Sequence, residues 1–289
     1  MLTFLPTPTA LSKPTPCSFH HPMTVHATVP TPSHRASHEQ LHDGHLNDHA
    51  ERRDLAIELR NLCRTYDGEG GVRDVSLSVP KGAIYVLCGA NGAGKSTTLS
   101  VLVGLLFSSH GSLLFNGVAV PLDRMAARAG IGFLPDTPVV DEGLTGWQWA
   151  SFVAGIKAMA WPSSASDAAQ RLTLPLDALD RPVRSLSFGT RRKLALWVEM
   201  MTTTSVLVLD EPLVGLDPPS IEGFYALARD WVASGRSMLL STHLLREADG
   251  IATHVGVLRN GISVADGPIQ DITAGRPLSH VFRHLTTDA

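Results

Sequence analysis

The chain has 289 residues, of which 44% are hydrophobic and 18% charged, so it can form one large domain or two small ones with a sizeable core. Its formal net charge of -3 argues against nucleic acid as the main partner, because binding a phosphate backbone normally needs a basic excess. Cys17, Cys63 and Cys88 lie far apart and form no Cys-x-x-Cys pair, which is typical of a reducing compartment. No run reaches the roughly 18 uncharged apolar residues of a membrane-spanning helix.

Residues 1–53 differ from the rest of the chain, because they are rich in Pro, Thr, Ser and His and show little apolar periodicity. Such a composition predicts a disordered tail, followed by a globular domain over residues 54–289. Met23 offers a second translation start, in which case residues 1–22 are not part of the protein. The scarcity of early acidic residues also leaves a transit peptide open, although basic residues are few there too.

Five histidines of this tail recur at helical spacing, which would place them along one helix face. One interpretation is a site for Zn, Cu or Ni, since imidazole suits those ions. The favoured interpretation is a solvated tail without fixed geometry, because no cysteine or carboxylate arrangement completes a site. The five residues are His34, His38, His42, His45 and His49.

From Asp54 onward, the hydrophobic pattern predicts an α/β domain with a mainly parallel sheet. Asn-Gly pairs at 116–117 and 260–261 predict two tight hairpins. Residues 137–187 are expected to form a helical subdomain. In chain order, the predicted elements are strands 55–59, 75–79 and 83–87, a helix over 95–105, a hairpin over 112–120, strands 131–134, 206–209 and 238–241, and a hairpin over 255–265.

Residues 89–97 read GANGAGKST and fit the phosphate-binding pattern Gly-x-x-x-x-Gly-Lys-[Ser/Thr], with a predicted strand before them and a predicted helix after them. The glycines let successive backbone N–H groups face one anion at the positive helix N-terminus. Lys95 is expected to reach the β- and γ-phosphates of a nucleoside triphosphate, and the Ser96 hydroxyl to complete the shell of a Mg²⁺ ion. The predicted nucleotide-binding residues of this loop are Gly89, Ala90, Asn91, Gly92, Ala93, Gly94, Lys95, Ser96 and Thr97.

Two further apolar strands end in side chains that suit Mg²⁺-nucleotide chemistry. Residues 206–211 read VLVLDE, so Asp210 is predicted to hold Mg²⁺ and Glu211 to polarise the attacking water. Residues 239–243 read LLSTH, and His243 is predicted to lie beside the γ-phosphate as a hydrogen-bond donor. The alternative interpretations are a solvated acidic turn at residues 210–211 and a purely structural role for His243. Both are less favoured in a chain that also contains a phosphate-binding loop.

Residues 186–190 read LSFGT and precede the basic run RRK. A serine and a glycine ahead of a basic helix form another anion-binding helix N-terminus. One phosphate-loop ATPase core needs only one such terminus, so the second one suggests contact with a nucleotide held by another subunit. Ser187 and Gly189 are the residues predicted to make that contact.

The order of these motifs resembles that of the nucleotide-binding subunit of ABC (ATP-binding cassette) transporters over residues 54–286. The resemblance implies that Tyr66 stacks on adenine and that residues 89–97 are the Walker A loop. It also implies that Asp210 is the Walker B aspartate and Glu211 the catalytic glutamate.

By the same resemblance, residues 216–217 lie in the D-loop and His243 is the switch histidine. LSFGT is then the signature motif, which in this family covers ATP held by the opposite monomer. The resemblance therefore implies a head-to-tail dimer with two ATP molecules at its interface.

Two departures from the family pattern stand out. The usual signature is LSGGQ, whereas this chain has Phe188 and Thr190 in place of a glycine and the glutamine. Asp136 occupies the place of the Q-loop glutamine; it can still meet Mg²⁺, and its coupling to the membrane partner is open. Residues 134–149 and the ending at 277–286 resemble the branch that pairs with separate exporter-type permeases.

Motifs and resemblance together predict an α/β P-loop NTPase of ABC type, with an antiparallel β-subdomain and a helical subdomain. The expected ligands are ATP and Mg²⁺, the ion lying at Ser96, Asp136 and Asp210. The expected partners are a second ATPase subunit, identical or related, and a separate polytopic permease, with the chain on the cytoplasmic face of the inner (plasma) membrane. No nucleic acid is expected to bind. An importer ATPase, or less favourably a soluble ABC ATPase, is the alternative.

Three aromatic residues of the helical segment have two interpretations. Trp147, Trp149 and Phe152 either pack inside the helical subdomain or form a groove for a coupling helix of the permease. At least one of them is expected in the core.

Overall fold

The computed structural model describes residues 54–66, 69–121 and 130–286. The predictions about residues 1–53, including the five histidines, lie outside the described residues. The strands are β1 Leu55–Tyr66, β2 Glu69–Pro80, β3 Ile84–Gly89, β4 His110–Phe115, β5 Val118–Val120, β6 Ile131–Leu134, β7 Val206–Asp210, β8 Ser237–Thr242, β9 His254–Arg259 and β10 Ile262–Pro268. The helices are α1 Lys95–Leu102, α2 Gly146–Ile156, α3 Ala165–Arg171, α4 Phe188–Thr202, α5 Pro218–Ala233, α6 Leu245–Asp249, α7 Ile269–Thr273 and α8 Leu278–Thr286, with 3₁₀ turns at Leu176–Asp180 and Val183–Ser185.

The strands of the described residues form one sheet in the order β5-β4-β1-β2-β10-β9-β3-β8-β7-β6. Strands β9, β3, β8, β7 and β6 are parallel neighbours, whereas β5, β4, β1 and β2 pair antiparallel. All residues of β3, β7 and β8 are buried, as their continuous apolar runs predict. The predicted α/β fold with an antiparallel region is therefore confirmed.

The parallel strands bring their carboxyl ends to one edge of the sheet. In register, Cys88 of β3 lies beside Thr242 of β8, and Asp210 of β7 lies beside Ser241 of β8. Residues 89–97, Glu211 and His243 follow these strands directly, so the topology brings three separate sequence motifs to the same place.

Both Asn-Gly hairpins form as predicted. The pairs Asn116-Gly117 and Asn260-Gly261 all have positive φ, between 49° and 78°, which is the backbone that a two-residue hairpin turn requires. The first strand is longer than its predicted range 55–59, because the pairing continues past an irregularity at Asn61, whose φ is 48°. Helix α1 ends at Leu102, whereas the sequence predicts a helix to residue 105.

Two hydrophobic cores lie on opposite faces of the parallel strands. Alternate residues of β3 divide between them: Ile84 and Val86 face the helices α4 and α5, while Tyr85 and Leu87 face α1 and the antiparallel strands. The segment between β6 and α4 packs on the first core through Trp197, whose Nε1 donates to the Ala165 carbonyl at 2.8 Å. The sheet is thus covered on both sides, and the motif-bearing ends of its strands are left at an edge.

Among the described residues, no helix combines the length and apolar character that crossing a membrane requires. The boundary at residue 54 and the limits of the helical subdomain remain predictions.

Candidate functional site

A cavity of about 420 Å³ opens where β3 passes into α1. It is lined by most of residues 89–97, here called the phosphate loop, by Gly70 and Gly71 of β2, and by the carboxyl-bearing residues Asp136 and Glu211. Two predicted binding residues, Gly89 and Ala93, are buried behind the lining. A Cβ atom on Gly89 would lie 2.9 Å from the Ala93 Cβ. These two residues therefore pack closely against each other inside the loop.

The turn of the phosphate loop depends on glycines in the left-handed region. Gly92 has a φ of 81° and Gly94, the N-cap of α1, a φ of 102°. Within the described part of the chain, no side chain caps α1, so the first N–H groups of this helix have no side-chain acceptor there. Such an uncapped helix start attracts an anion.

Lys95 is buried at the base of this loop, with 7% of its side chain exposed. Its Nζ donates to the carbonyls of Gly89 at 2.8 Å and Ala90 at 3.4 Å, and lies 3.5 Å from Glu211 Oε1. The ammonium group is therefore fixed by main-chain oxygens and partly balanced by one carboxylate.

Glu211 joins the phosphate loop to the end of β8. Its Oε2 lies 2.9 Å from His243 Nδ1 and accepts from the His243 backbone N–H at 3.3 Å. The structure thus brings the predicted residues Lys95, Glu211 and His243 into one connected group. Glu211 also has a φ of 49°, which is uncommon for a residue with a side chain.

Asp210 lies deeper than Glu211 and is 4% exposed. Ser241 Oγ donates to Asp210 Oδ1 and accepts from the Glu211 backbone N–H at 3.0 Å. Sequence reasoning missed Ser241, although its position two residues before His243 in the same buried strand could have indicated it.

The residues predicted to hold Mg²⁺ offer oxygen atoms, which is the donor type that this ion prefers. Ser96 and Asp136 line the cavity, and the Asp136 side chain is 57% exposed. Among the described residues, no three His, Cys, Asp or Glu side chains cluster closely enough to hold a metal by themselves. This donor set fits an ion bound by one or two protein oxygens together with phosphate oxygens.

Ser187 and Gly189 do not line this cavity. Ser187 is the N-cap of α4, and its Oγ accepts from the Thr190 N–H at 3.1 Å. The neighbouring Phe188 is 57% exposed. The second helix start therefore exists as predicted, and its residues are not among those that line the cavity at the first helix start.

Tyr66 ends β1 with its residue surface 40% exposed. The Arg64 guanidinium carbon lies 5.1 Å from the Tyr66 ring centroid, within the range of a cation–π contact. The ring is not part of the cavity lining, so its contact with adenine stays a prediction.

A profile of the ABC transporter family matches residues 72–214. The chain is 35% identical over 236 residues to the daunorubicin/doxorubicin resistance ATP-binding protein DrrA of Streptomyces peucetius, covering 81% of this chain and 71% of that protein. The chain belongs to the ABC transporter family.

Other relatives and solved structures of the ABC family agree. The Nod factor export ATP-binding protein I of Ralstonia nicotianae is 32% identical, covering 73% of this chain and 66% of that protein. The phospholipid-transporting ATPase ABCA3 of Rattus norvegicus is 34% identical, but the chain spans only 13% of it. A solved ATP-binding subunit of an ABC transporter superposes with a TM-score of 0.73 at 27% identity, covering 81% of this chain and all of that one.

Membership in the ABC family makes the chain an ATP-binding subunit that hydrolyses ATP. Phe188 and Thr190, which differ from the family's usual signature, lie at the exposed start of α4. The Asp136 departure falls in the cavity lining, where its carboxylate lies 3.5 Å from Arg192 Nη2. Arg192 is a second residue that sequence reasoning missed. A basic residue after LSFGT is expected to be exposed and charged at the surface, whereas the structure buries Arg192.

Proposed function

We propose that this ABC subunit binds Mg²⁺ and ATP at a site completed by a second ATPase subunit, and that it powers export through a separate membrane permease. The observation that carries the proposal is the separation of two helix starts. One lies at the phosphate loop beside Lys95 and Glu211, and the other begins at Ser187, outside that cavity.

The part of the ATP site at the phosphate loop binds the nucleotide and hydrolyses it. The uncapped start of α1 and the Lys95 ammonium hold the phosphates, because both present positive charge at fixed positions. Ser96, Asp210 and Asp136 would hold Mg²⁺, which neutralises phosphate charge when bound. Glu211 takes a proton from the attacking water, and His243 holds the Glu211 carboxylate in place.

The other part of the ATP site comes from another subunit. Ser187 and Gly189 lie at the exposed start of α4, where a partner's bound nucleotide can meet the backbone N–H groups. We infer a head-to-tail pair of identical or related subunits, which closes on two ATP molecules and opens after hydrolysis.

The proposed pairing is tested with Glu211→Gln. We expect ATP binding to persist and turnover to fall by at least about a hundredfold, the usual lower range for loss of a general base. The variant should form an ATP-dependent dimer, measured by light scattering after gel filtration. Glu222→Gln, an exposed carboxylate on α5, is the control and should keep wild-type turnover.

Adding Ser187→Arg to Glu211→Gln should abolish that dimer without changing ATP affinity. Ser234→Arg is the control, because Ser234 ends α5 just before β8 begins, at the edge of the sheet opposite the site. A dimer that persists with Ser187→Arg would contradict the shared site. Undiminished turnover with Glu211→Gln would remove Glu211 as the general base.

The permease is proposed to dock on α2. Trp149 is 9% exposed and belongs to the core, which confirms the expectation for one of the three aromatic residues. Phe152 and Ile156, by contrast, are 59% and 70% exposed on the same helix. Solvent-facing apolar side chains of this size suit a coupling helix of a membrane subunit, which would hold the chain at the cytoplasmic membrane face.

Docking is tested by co-purification of the tagged chain from detergent-solubilised membranes. We expect a polytopic protein to co-purify, and Phe152→Asp to reduce its recovery at least about tenfold, the change that corresponds to about 1.4 kcal/mol. Val118→Asp, at an exposed apolar position on β5, should not reduce it. Equal recovery with both variants would contradict docking on α2.

Export, in place of import, is supported by two relatives named for drug resistance and Nod factor export. The captured permease and this chain can be reconstituted with the ATPase subunits and ATP outside the vesicles. Export then predicts ATP-dependent accumulation of solute in the lumen. ATP-dependent release of preloaded solute would instead establish import.

A further inference from the structure

Arg192 is a buried arginine that contacts two segments of the site through their main chains. It lies in the second turn of α4 and is 3% exposed. Its Nη1 donates to the Asp136 carbonyl and its Nη2 to the Glu211 carbonyl. The adjacent Arg191, of the same residue type on the same helix, is about one third exposed and pairs with Glu142 at 2.7 Å.

The contact with Glu211 falls where the backbone is strained. A non-glycine residue with a φ of 49° persists only when its surroundings hold it. Both peptide groups that flank Glu211 are held: Ser241 Oγ accepts from its N–H, and the Arg192 guanidinium donates to its carbonyl. Fixing both peptide planes fixes the direction of the Cα–Cβ bond, from which the side chain extends with its two oxygens beside Lys95 and His243.

Stability alone is a poor reason for this arginine. Burying a guanidinium requires desolvation that well-packed apolar residues avoid. Asp136, a carboxylate partner at 3.5 Å, is itself 57% exposed, and Arg192 Nε has no hydrogen-bond partner among the residues that the structure describes. The planar fork of arginine does, however, let one side chain bind two carbonyl oxygens at once.

We propose that Arg192 is a positioning residue, which holds the Glu211 main chain so that its carboxylate is aimed at the attacking water. This inference rests on the proposed role of Glu211 as the general base. Since Arg192 lies one turn beyond Ser187 and Gly189, it also connects the helix start that meets the partner subunit with the hydrolytic carboxylate of its own subunit.

The test compares Arg192→Lys and Arg192→Met with the matched variants Arg229→Lys and Arg229→Met, at an exposed arginine of α5 that belongs to neither helix start. Lysine keeps the charge but not the planar fork, so turnover should fall in the order Arg, Lys, Met at position 192. We expect kcat to fall about tenfold to a hundredfold for Arg192→Met, as for a catalytic group displaced by about 1 Å. KM for ATP should stay within about twofold, because Arg192 does not line the phosphate loop. Both variants at 229 should keep kcat and KM.

A double-mutant cycle separates positioning from folding. Arg192→Lys combined with Glu211→Gln should turn over no more slowly than Glu211→Gln alone, because a positioning residue has no effect once its target is gone. A further loss of the same size in that background would show a structural role and overturn the inference, as would unchanged kcat in Arg192→Met. If Glu211→Gln alone turns over like the wild type, the general-base proposal fails, whatever the variants at 192 do.

Discussion

At the scale of single residues, burial decides which side chains of the site can react. Cys88 lies at the end of β3, directly before the phosphate loop, and is completely buried. Burial raises the pKa of its thiol to about 12, even though the nearby Lys95 ammonium acts in the opposite direction. The thiolate, which is the reactive form, is therefore almost absent at neutral pH.

We predict that Cys88 resists alkylation in the native protein. Treatment with iodoacetamide at pH 8 should leave the peptide containing Cys88 unmodified, while the same treatment in urea should label it completely; mass spectrometry measures both. ATP affinity should not change after the native treatment. Native labelling at the rate of free cysteine would show that β3 opens in solution.

The residues that meet at the carboxyl ends of the strands were largely predictable from sequence, whereas those that hold them in place were not. Lys95, Glu211 and His243 each follow a buried strand in a recognisable motif. Ser241 and Arg192 contact main-chain atoms of other segments, and no sequence pattern records which carbonyl or N–H group a side chain reaches. The fold had to bring β7, β8 and α4 together before their role became visible.

At the scale of elements, the start of α5 is tied to the middle of α4. Asp217, the N-cap of α5, accepts from Lys193 Nζ at 2.6 Å and from the Ser220 N–H at 2.9 Å. The hydrogen bond from Lys193, together with those from Ser220, lowers the pKa of Asp217 from its ordinary 3.8 to about 2. A lowered pKa in the folded state means that the ionised carboxylate stabilises the fold above pH 4, and that this stabilisation is lost as the pH falls towards 2.

Asp217→Asn tests this link, because asparagine still caps the helix but carries no negative charge to form an ion pair with the Lys193 ammonium. At pH 7 we expect the free energy of unfolding to fall by about 1 kcal/mol or less, since the carboxylate is half exposed and solvent screens the pair. The difference from wild type should shrink as the pH falls from 4 towards 2, measured by urea unfolding. A difference that stays constant with pH would assign the effect to packing.

At the scale of the whole molecule, the sequence predicted the strands better than their order. The apolar runs and Asn-Gly turns located most strands and both hairpins. The position of β10 between β2 and β9 was not predictable, because it depends on pairing between strands nearly 190 residues apart. The parallel contact of β10 with β2 is short, with Ile262 beside Asp74, and it joins the antiparallel and parallel parts of the sheet.

The turn that precedes β10 also supports the phosphate loop. Gly261 donates its N–H to the Ala93 carbonyl at 3.1 Å, and its own carbonyl accepts from the Arg73 N–H at 2.8 Å. A Cβ atom at Gly261 would lie 2.6 Å from the Gly71 carbonyl oxygen, so the approach admits no larger residue. A protein truncated after residue 250 would keep every recognisable ATP motif. It would, however, lose the hydrogen bond from Gly261 that supports the phosphate loop. The residues that support the phosphate loop therefore extend beyond the last motif, to the final hairpin.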